Sequence, residues 1–174
     1  QADLNISVDG EVNVTSTENK INKTYDFHGT TFENTYTADD QASGTILKYS
    51  PATSATLNGS EIYYLRATGS WAQANATDDT AGAKFLIGVG LGGNSQSVGV
   101  LLKGFVRIAS TEILNVPTNV DGLPVYMSTT SGHFDFNAPS SSGNIVRIMG
   151  YAIDDEAGDV LVYFDPDKTW VEIA

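Results

Sequence analysis

Apolar and polar residues alternate in short runs along most of this chain of 174 residues. Near its start, apolar residues take every second position of 4–8 and again of 12–14, on either side of the dipeptide Asp9-Gly10. A period of two on both sides of Asp-Gly predicts a β-hairpin. Because this region has few large apolar residues to bury, residues 1–43 are predicted to form an N-terminal β arm that serves assembly or attachment.

The rest of the chain keeps the same period and carries more large apolar residues. Helical spacing is almost absent, and Gly, Ser, Thr and Asn separate short runs of β-branched and aromatic residues. These signals predict an all-β protein. The predicted strands are Thr45–Tyr49, Glu61–Arg66, Ser70–Ala74, Phe85–Leu91, Gly99–Ile108, Pro124–Ser128, His133–Asn137, Ile145–Ile153, Val160–Phe164 and Thr169–Ile173.

One phrase of the sequence occurs twice. Residues 59–71 read GSEIYYLRATGSW, and residues 122–134 read GLPVYMSTTSGHF, which match without a gap at Gly, aromatic and apolar positions. Downstream, residues 86–91 (LIGVGL) resemble residues 148–153 (IMGYAI). Similar segments in the same order predict an internal duplication.

The duplication predicts two tandem antiparallel β-barrel or sandwich units, at residues 44–108 and 109–174. Residues 44–48 also resemble residues 99–103, so the last strand of one unit is predicted to double as the first strand of the next. Glycine is expected at the turns and bends of such units, because it accepts positive φ and close backbone approach. The glycines predicted to have this structural role are Gly59, Gly69, Gly88, Gly122, Gly132 and Gly150.

The net charge and the residue composition argue against several classes of partner and site. A formal net charge of -12 disfavours nucleic acid and anionic membrane surfaces, and no apolar run reaches the roughly 20 residues of a membrane helix. The chain has no cysteine, so disulfides and thiolate sites are excluded. Short repeats without disulfides leave strand edges to be covered, and we therefore predict a homo-oligomer, with a trimer as the preferred form.

Motifs for catalysis or cofactor binding are weak. Residues 88–93 contain the spacing G-x-G-x-x-G, but turn residues follow it where a dinucleotide site needs a helix. The only histidines, His28 and His133, are far apart in sequence, and His133 is expected to be a solvent-facing strand residue. We predict no catalytic residue and no cofactor.

Acidic residues cluster in predicted turns, at residues 39–40, 78–79, 154–159 and 165–167. None has the spacing of a Ca²⁺-binding loop, so solvated turn carboxylates are the preferred interpretation and no metal ligand is assigned. A cation site at one of these turns is the alternative.

Aromatic residues offer a different kind of site, because exposed rings on a β-surface can stack against sugars. Most aromatic residues of the repeated segments are expected in the core. Tyr64 and Phe136 are expected to point away from their core neighbours, and they are the predicted glycan-contact residues.

A further set of segments is distinctive when taken together: residues 62–65, 86–91, 99–106, 122–128, 146–151 and 163–167, followed by Trp170. Through these segments the chain from residue 44 onward resembles a β-rich virion structural protein of tailed bacteriophages, of the kind found in marine phages. The resemblance implies an assembled, non-enzymatic β-module on the virion surface that contacts other virion proteins. Our hypothesis is a module of a tail fibre or similar appendage that also contacts a host receptor. The alternatives are a capsid decoration protein and a secreted carbohydrate-binding or carbohydrate-cleaving module.

Overall fold

The computed structural model describes residues 41–49, 56–77, 80–156 and 158–174. Within these ranges the chain forms fourteen β-strands and no helix, which confirms the predicted all-β class. The strands are β1 (Ala42–Leu47), β2 (Thr56–Leu57), β3 (Ile62–Leu65), β4 (Trp71–Gln73), β5 (Ile87–Gly90), β6 (Gly93–Asn94), β7 (Val100–Ile108), β8 (Ile113–Leu114), β9 (Pro124–Met127), β10 (Phe134–Asp135), β11 (Ile145–Val146), β12 (Ile148–Glu156), β13 (Asp159–Phe164) and β14 (Val171–Glu172).

Every strand predicted from residue 45 onward overlaps an observed strand, but the predicted strand Ile145–Ile153 is divided at Arg147. The buried guanidinium of Arg147 donates from Nη1 to the carbonyls of Ala83 and Phe85, at 2.7 and 3.0 Å. Its Nε donates to the carbonyl of Asp167 at 2.8 Å. These bonds compensate the buried charge, and at this residue the chain passes from β11 to β12.

Strand β7 belongs to a large curled sheet and pairs with three of its strands, β1, β5 and β13. Along one edge, β1 pairs with residues 100–106 of β7 in antiparallel fashion. Along the opposite edge, β5 pairs with residues 100–101 and β13 pairs with residues 104–108. The sheet therefore branches at β7 into two parts that both include this strand.

The two parts have the same order of strand pairing. The first part has the order β4-β3-β5-β7-β1 and the second has the order β10-β9-β12-β13-β7, with every pair antiparallel. Within β7, Gly104 lies opposite Gly44 of β1 on one edge and opposite Phe164 of β13 on the other.

Strand pairing aligns the two hairpins one residue away from the gapless sequence match. Tyr63 lies opposite Gly88, and Val125 lies opposite Gly150. By this register Tyr63 corresponds to Val125, whereas the sequence match aligned it with Tyr126. Corresponding residues of the two hairpins are therefore defined by strand pairing.

The one-residue difference is absorbed in the hairpin turns. In the first hairpin the amide of Arg66 donates to the carbonyl of Ser70, whereas in the second the amide of Ser128 donates to the carbonyl of His133. The second turn is therefore one residue longer. Gly132 lies in this turn at φ 80°, a conformation that glycine adopts without steric cost.

The other glycines singled out from the sequence lie at turns or close approaches. Gly69 and Gly122 also have positive φ, at 82° and 74°, whereas in the turn that contains Gly59 the left-handed residue is Ser60 at φ 60°. A Cβ on Gly88 would collide with Val100, and a Cβ on Gly150 would collide with the carbonyl of Tyr163.

The prediction of a purely antiparallel sheet is wrong, because the sheet is mixed. Strand β8 pairs with β10 in parallel, and the connection between them returns the chain to the same end of the sheet. Two small sheets, β11 with β14 and β2 with β6, lie beside the large one. Strand β1 spans the predicted boundary between residues 43 and 44, and the hairpin predicted near the N-terminus lies outside the described residues.

The apolar core lies in two clusters. The smaller cluster contains Leu57, Tyr63, Trp71 and Val100. The larger cluster takes residues from both parts of the sheet, so the two parts are packed on a common core. Its buried members include Ile62, Ile87, Val89, Leu101, Val106, Ile108, Val125, Met127, Phe134, Met149, Val160, Val162 and Phe164.

Candidate functional site

A pocket of about 340 Å³ lies where the end of β8, the start of β9 and the end of β10 meet. Two aromatic rings, two amide side chains and three other apolar residues line it. Rings that offer a flat apolar face beside amides that donate and accept hydrogen bonds suit the two faces of a sugar. We call this site the aromatic pocket, and its residues are Asn115, Pro117, Leu123, Pro124, Tyr126, Phe136 and Asn137.

Strand alternation places the tyrosine in the pocket. Val125 and Met127 are fully buried in the larger core cluster, so Tyr126 between them faces away from that core. Asp135 lies directly opposite Tyr126 on β10, and cross-strand partners share a face of the sheet. Phe136 follows Asp135, lines the pocket and packs partly against the core.

Asp135 holds the rim of the pocket together. Its Oδ1 accepts hydrogen bonds from Nδ2 of Asn115 and from the amide of Asn137, both at 2.8 Å. Asn115 has φ 54°, a left-handed conformation that asparagine tolerates better than most residues. One carboxylate therefore positions the side-chain amide of Asn115 and the backbone of Asn137.

The loop between β8 and β9 is anchored to β12 beneath the pocket. The amide of Gly122 donates to the carbonyl of Ala152 at 2.8 Å, and the amide of Ala152 donates to the carbonyl of Leu123 at 2.9 Å. Val120 of the same loop is fully buried. One wall of the pocket is thus fixed by backbone hydrogen bonds and by burial.

A second, more polar pocket of about 190 Å³ adjoins the first. The two pockets share Asn137, and Asp135 lines the second pocket. Hydroxyl and amide groups supply most of the remaining surface, so the second pocket can hydrogen-bond a ligand but offers it no ring. We call it the polar pocket, and its residues are Thr129, Asp135, Asn137, Ala138, Pro139, Ser140, Ser141 and Asn144.

The structure brings one of the two predicted glycan-contact residues into this site. Phe136 lines the aromatic pocket, whereas Tyr64 lines neither pocket described above. Tyr64 packs against the larger core cluster, with its ring 5.5 Å from the ring of Phe85. Sequence reasoning assigned Tyr126 to the core, although its place between two apolar residues of a strand was the signal that it faces outward.

The glycine-rich segment is part of the sheet. Gly88 and Gly90 belong to β5, and Gly93 belongs to β6, after which a turn leads into β7. The amide of Val98 closes this turn on the carbonyl of Asn94 at 2.8 Å. The arrangement lacks the strand-to-helix turn of a dinucleotide site.

His133 is half-buried and lies just before β10, not within a strand as predicted. Its side chain is 23% exposed, and Nε2 lies 3.4 Å from Oε2 of Glu112. Nδ1 lies 2.8 Å from the carbonyl oxygen of Ser131. The side chain therefore keeps contact with solvent while it packs beside Glu112.

The carboxylate of Glu61 is buried and lies near His133. Glu61 accepts hydrogen bonds from the hydroxyl of Tyr63 at 2.6 Å, from Gln73 at 2.7 Å and from Asn58 at 3.0 Å. Burial raises the pKa of Glu61, but these three bonds and the nearby His133 outweigh it, so the pKa lies below its usual value. Burial and the bond to Glu61 raise the pKa of the Tyr63 hydroxyl. This cluster is satisfied internally, which indicates a structural role.

The acidic turns are dispersed. Asp165 forms an ion pair with Lys103 at 2.7 Å, and Asp154 lies 3.9 Å from Arg107. The acidic residues at 39–40 and 78–79 lie outside the described residues. In the part of the chain that is described, no three His, Asp or Glu side chains gather in a way that could hold a metal ion. Nor does that part contain a helix long and apolar enough to cross a membrane.

In comparisons with known proteins, no protein-family model, curated protein or solved structure matches this chain.

Proposed function

We propose that this chain is a non-enzymatic structural module on the outside of a bacteriophage virion, part of a tail fibre or similar appendage, and that the aromatic pocket contacts a glycan of the host surface. The observation that carries the glycan contact is that two aromatic residues, Tyr126 and Phe136, line one pocket together with two asparagines. The carboxylate of Asp135 fixes the side chain of Asn115 and the backbone of Asn137. The resemblance described above supports the virion location.

We also propose that the two parts of the sheet arose by duplication of one unit. The similar segments of the sequence support this, and so does the matching order of strand pairing in the two parts. On this proposal β7 is both the last strand of the first unit and the first strand of the second. The N-terminal arm of residues 1–43 serves assembly.

A homo-oligomer, with a trimer preferred, completes the proposal. Apolar side chains on the surface support it, because a second copy could cover them. Tyr151 and Val171 are 47% and 65% exposed. Other virion proteins are the remaining proposed partners.

A secreted carbohydrate-binding or carbohydrate-cleaving module stays the alternative from another class, because the aromatic pocket would serve a free protein equally well. A capsid decoration protein stays the alternative within the virion class. Imaging of the assembled particle with a label on this chain distinguishes these versions, since an appendage, a shell or no particle location would be seen directly.

The glycan contact is tested by Tyr126→Ala on a printed array of oligosaccharides. We expect the purified protein to retain a defined set of glycans and the variant to lose at least about tenfold in affinity for them, as for removal of a central aromatic contact. Tyr49→Ala is the matched control, because Tyr49 is 46% exposed and its described hydrogen bond uses only the backbone carbonyl. Equal binding by all three proteins, or no binding by any, would overturn the glycan contact.

A further inference from the structure

The two pockets are continuous in their lining. Asn137 belongs to both, with Tyr126 and Phe136 on one side and the hydroxyl-rich loop that contains Ser140 on the other. Asp135 lines the polar pocket, and its Oδ1 accepts hydrogen bonds from Asn115 and Asn137, which line the aromatic pocket. A ligand that reaches from one pocket into the other must therefore pass Asn137, next to the carboxylate of Asp135. The apolar side suits a stacked ring, and the polar side suits a second unit held by hydrogen bonds alone.

Charge at the junction restricts the ligand. Asp135, which lines the polar pocket, is the one carboxylate among the residues that line either pocket, and no Lys, Arg or His side chain is among them. Two of its hydrogen bonds come from rim residues Asn115 and Asn137, which fixes the carboxylate in place. An acidic sugar would bring a second negative charge near this carboxylate without a cationic partner, which is unfavourable. The net charge of -12 acts in the same direction over longer distances.

We infer that the aromatic pocket and the polar pocket are two adjoining subsites for a neutral oligosaccharide of at least two sugar units. This inference rests on the proposed glycan-binding function and adds to it both the charge class and the minimum length of the ligand. The first unit stacks in the aromatic pocket and the second lies in the polar pocket, with Asp135 accepting a hydroxyl hydrogen bond between them.

The length of the ligand is tested by titration calorimetry with the neutral glycans retained on the array, each compared with its own shorter fragments. We expect a disaccharide to bind at least about tenfold more tightly than the monosaccharide. Ser140→Leu fills the polar pocket and should reduce disaccharide affinity to about that of the monosaccharide while leaving monosaccharide affinity unchanged. Ser142→Leu is the matched control, since Ser142 is exposed and lines neither pocket.

The charge class is tested with pairs of array glycans that differ by one sialic or uronic acid. We expect the neutral member of each pair to be retained and the acidic member to be lost. Asp135→Asn keeps an oxygen for the Asn115 and Asn137 bonds but removes the charge, so it should raise the acidic-to-neutral binding ratio by about fivefold or more.

The outcomes separate this inference from the function on which it rests. If no glycan binds at all, the glycan contact itself fails. If glycans bind but monosaccharides bind as tightly as longer ligands, or acidic and neutral glycans bind equally, the contact survives and the two-subsite inference is overturned. Concentration-dependent self-association abolished by Tyr126→Ala would show that a second copy of this chain occupies the pocket, and would overturn both.

Discussion

Two tyrosines at corresponding positions in the two hairpins have different environments: one is covered and the other lines a pocket. Tyr64 lies opposite Ala72, and Tyr126 lies opposite Asp135. Tyr64 is covered on one side by Phe85, and a Cβ on the nearby residue 82 would collide with its ring. Tyr126 instead lines the aromatic pocket.

The difference arises from the connections that follow the hairpins. After β4 the chain folds back over the hairpin, and the backbone at residue 82 and the ring of Phe85 come to lie against Tyr64. After β10 the chain does not cover Tyr126, and residues 137–141 and 144 line the polar pocket. The same strand position thus becomes part of the core or part of a site, depending on where the next segment of chain lies.

The first prediction separates the two tyrosines by stability. Tyr64→Ala should lower the free energy of unfolding by about 3 kcal/mol, because it removes a large packed ring and leaves a cavity. Tyr126→Ala should lower it by less than about 1 kcal/mol, because that ring borders a pocket already open to solvent. Urea denaturation followed by fluorescence measures both. Equal losses for the two variants would remove the distinction between the covered and the open position.

The strands could be predicted from the sequence, whereas the different environments of Tyr64 and Tyr126 could not. Alternation marks the strands in which buried and exposed faces differ. Strands β3, β7 and β9 fall within predicted strands, and β13 begins one residue before its predicted strand. The short strands β2, β6 and β8 have only two residues each. Two residues cannot display a period, so these strands are defined by their partners and not by their own sequence.

The candidate site was predictable only in part. Phe136 was identified because it was expected to point away from its neighbouring core residue. Its neighbours Asn115 and Leu123 come from a loop whose path depends on hydrogen bonds to β12. Tyr64 was identified by the same reasoning as Phe136 and is covered. Strand periodicity gives the face on which a side chain lies, while tertiary packing decides whether that face is covered.

The second prediction concerns the carboxylate that supports the first hairpin. Glu61→Gln should lower the free energy of unfolding at pH 7 by about 2 kcal/mol, because at least one of the three donors now meets an amide group instead of a charged acceptor. The second hairpin has Leu123 at the position that corresponds to Glu61, and Leu123 is 39% exposed, so Leu123→Ala is the matched control with a small expected loss. A larger loss for Leu123→Ala than for Glu61→Gln would contradict the structural role of the cluster.

The effect of Glu61 should depend on pH with a definite sign. Its pKa is lower in the folded protein than the usual value of 4.5, so the folded state binds fewer protons there than the unfolded state does. The stabilisation is therefore complete above about pH 4.5 and decreases as pH falls through the folded pKa. The difference between the wild type and Glu61→Gln should narrow on acidification, and a difference that is constant from pH 7 to pH 3 would contradict the assignment.

The smallest expected effect tests how the second hairpin docks on the first. The amide of Ile62 donates to the carbonyl of Gly132 at 2.7 Å, and the amide of Gly132 donates to the carbonyl of Ala74 at 2.8 Å. Gly132→Val should lower the free energy of unfolding by about 1.5 kcal/mol, because a β-branched residue resists positive φ and this turn cannot move without losing those bonds.

Two further variants serve as controls. Gly69 has a similar φ in the first turn, so Gly69→Val isolates the conformational strain, while Ser131→Ala controls for a change in the same turn. Because the Gly132 turn is docked on the first hairpin, Gly132→Val should lower the free energy of unfolding by more than Gly69→Val does. Equal losses for the two glycine variants would mean that the docking adds nothing beyond the strain of the turn.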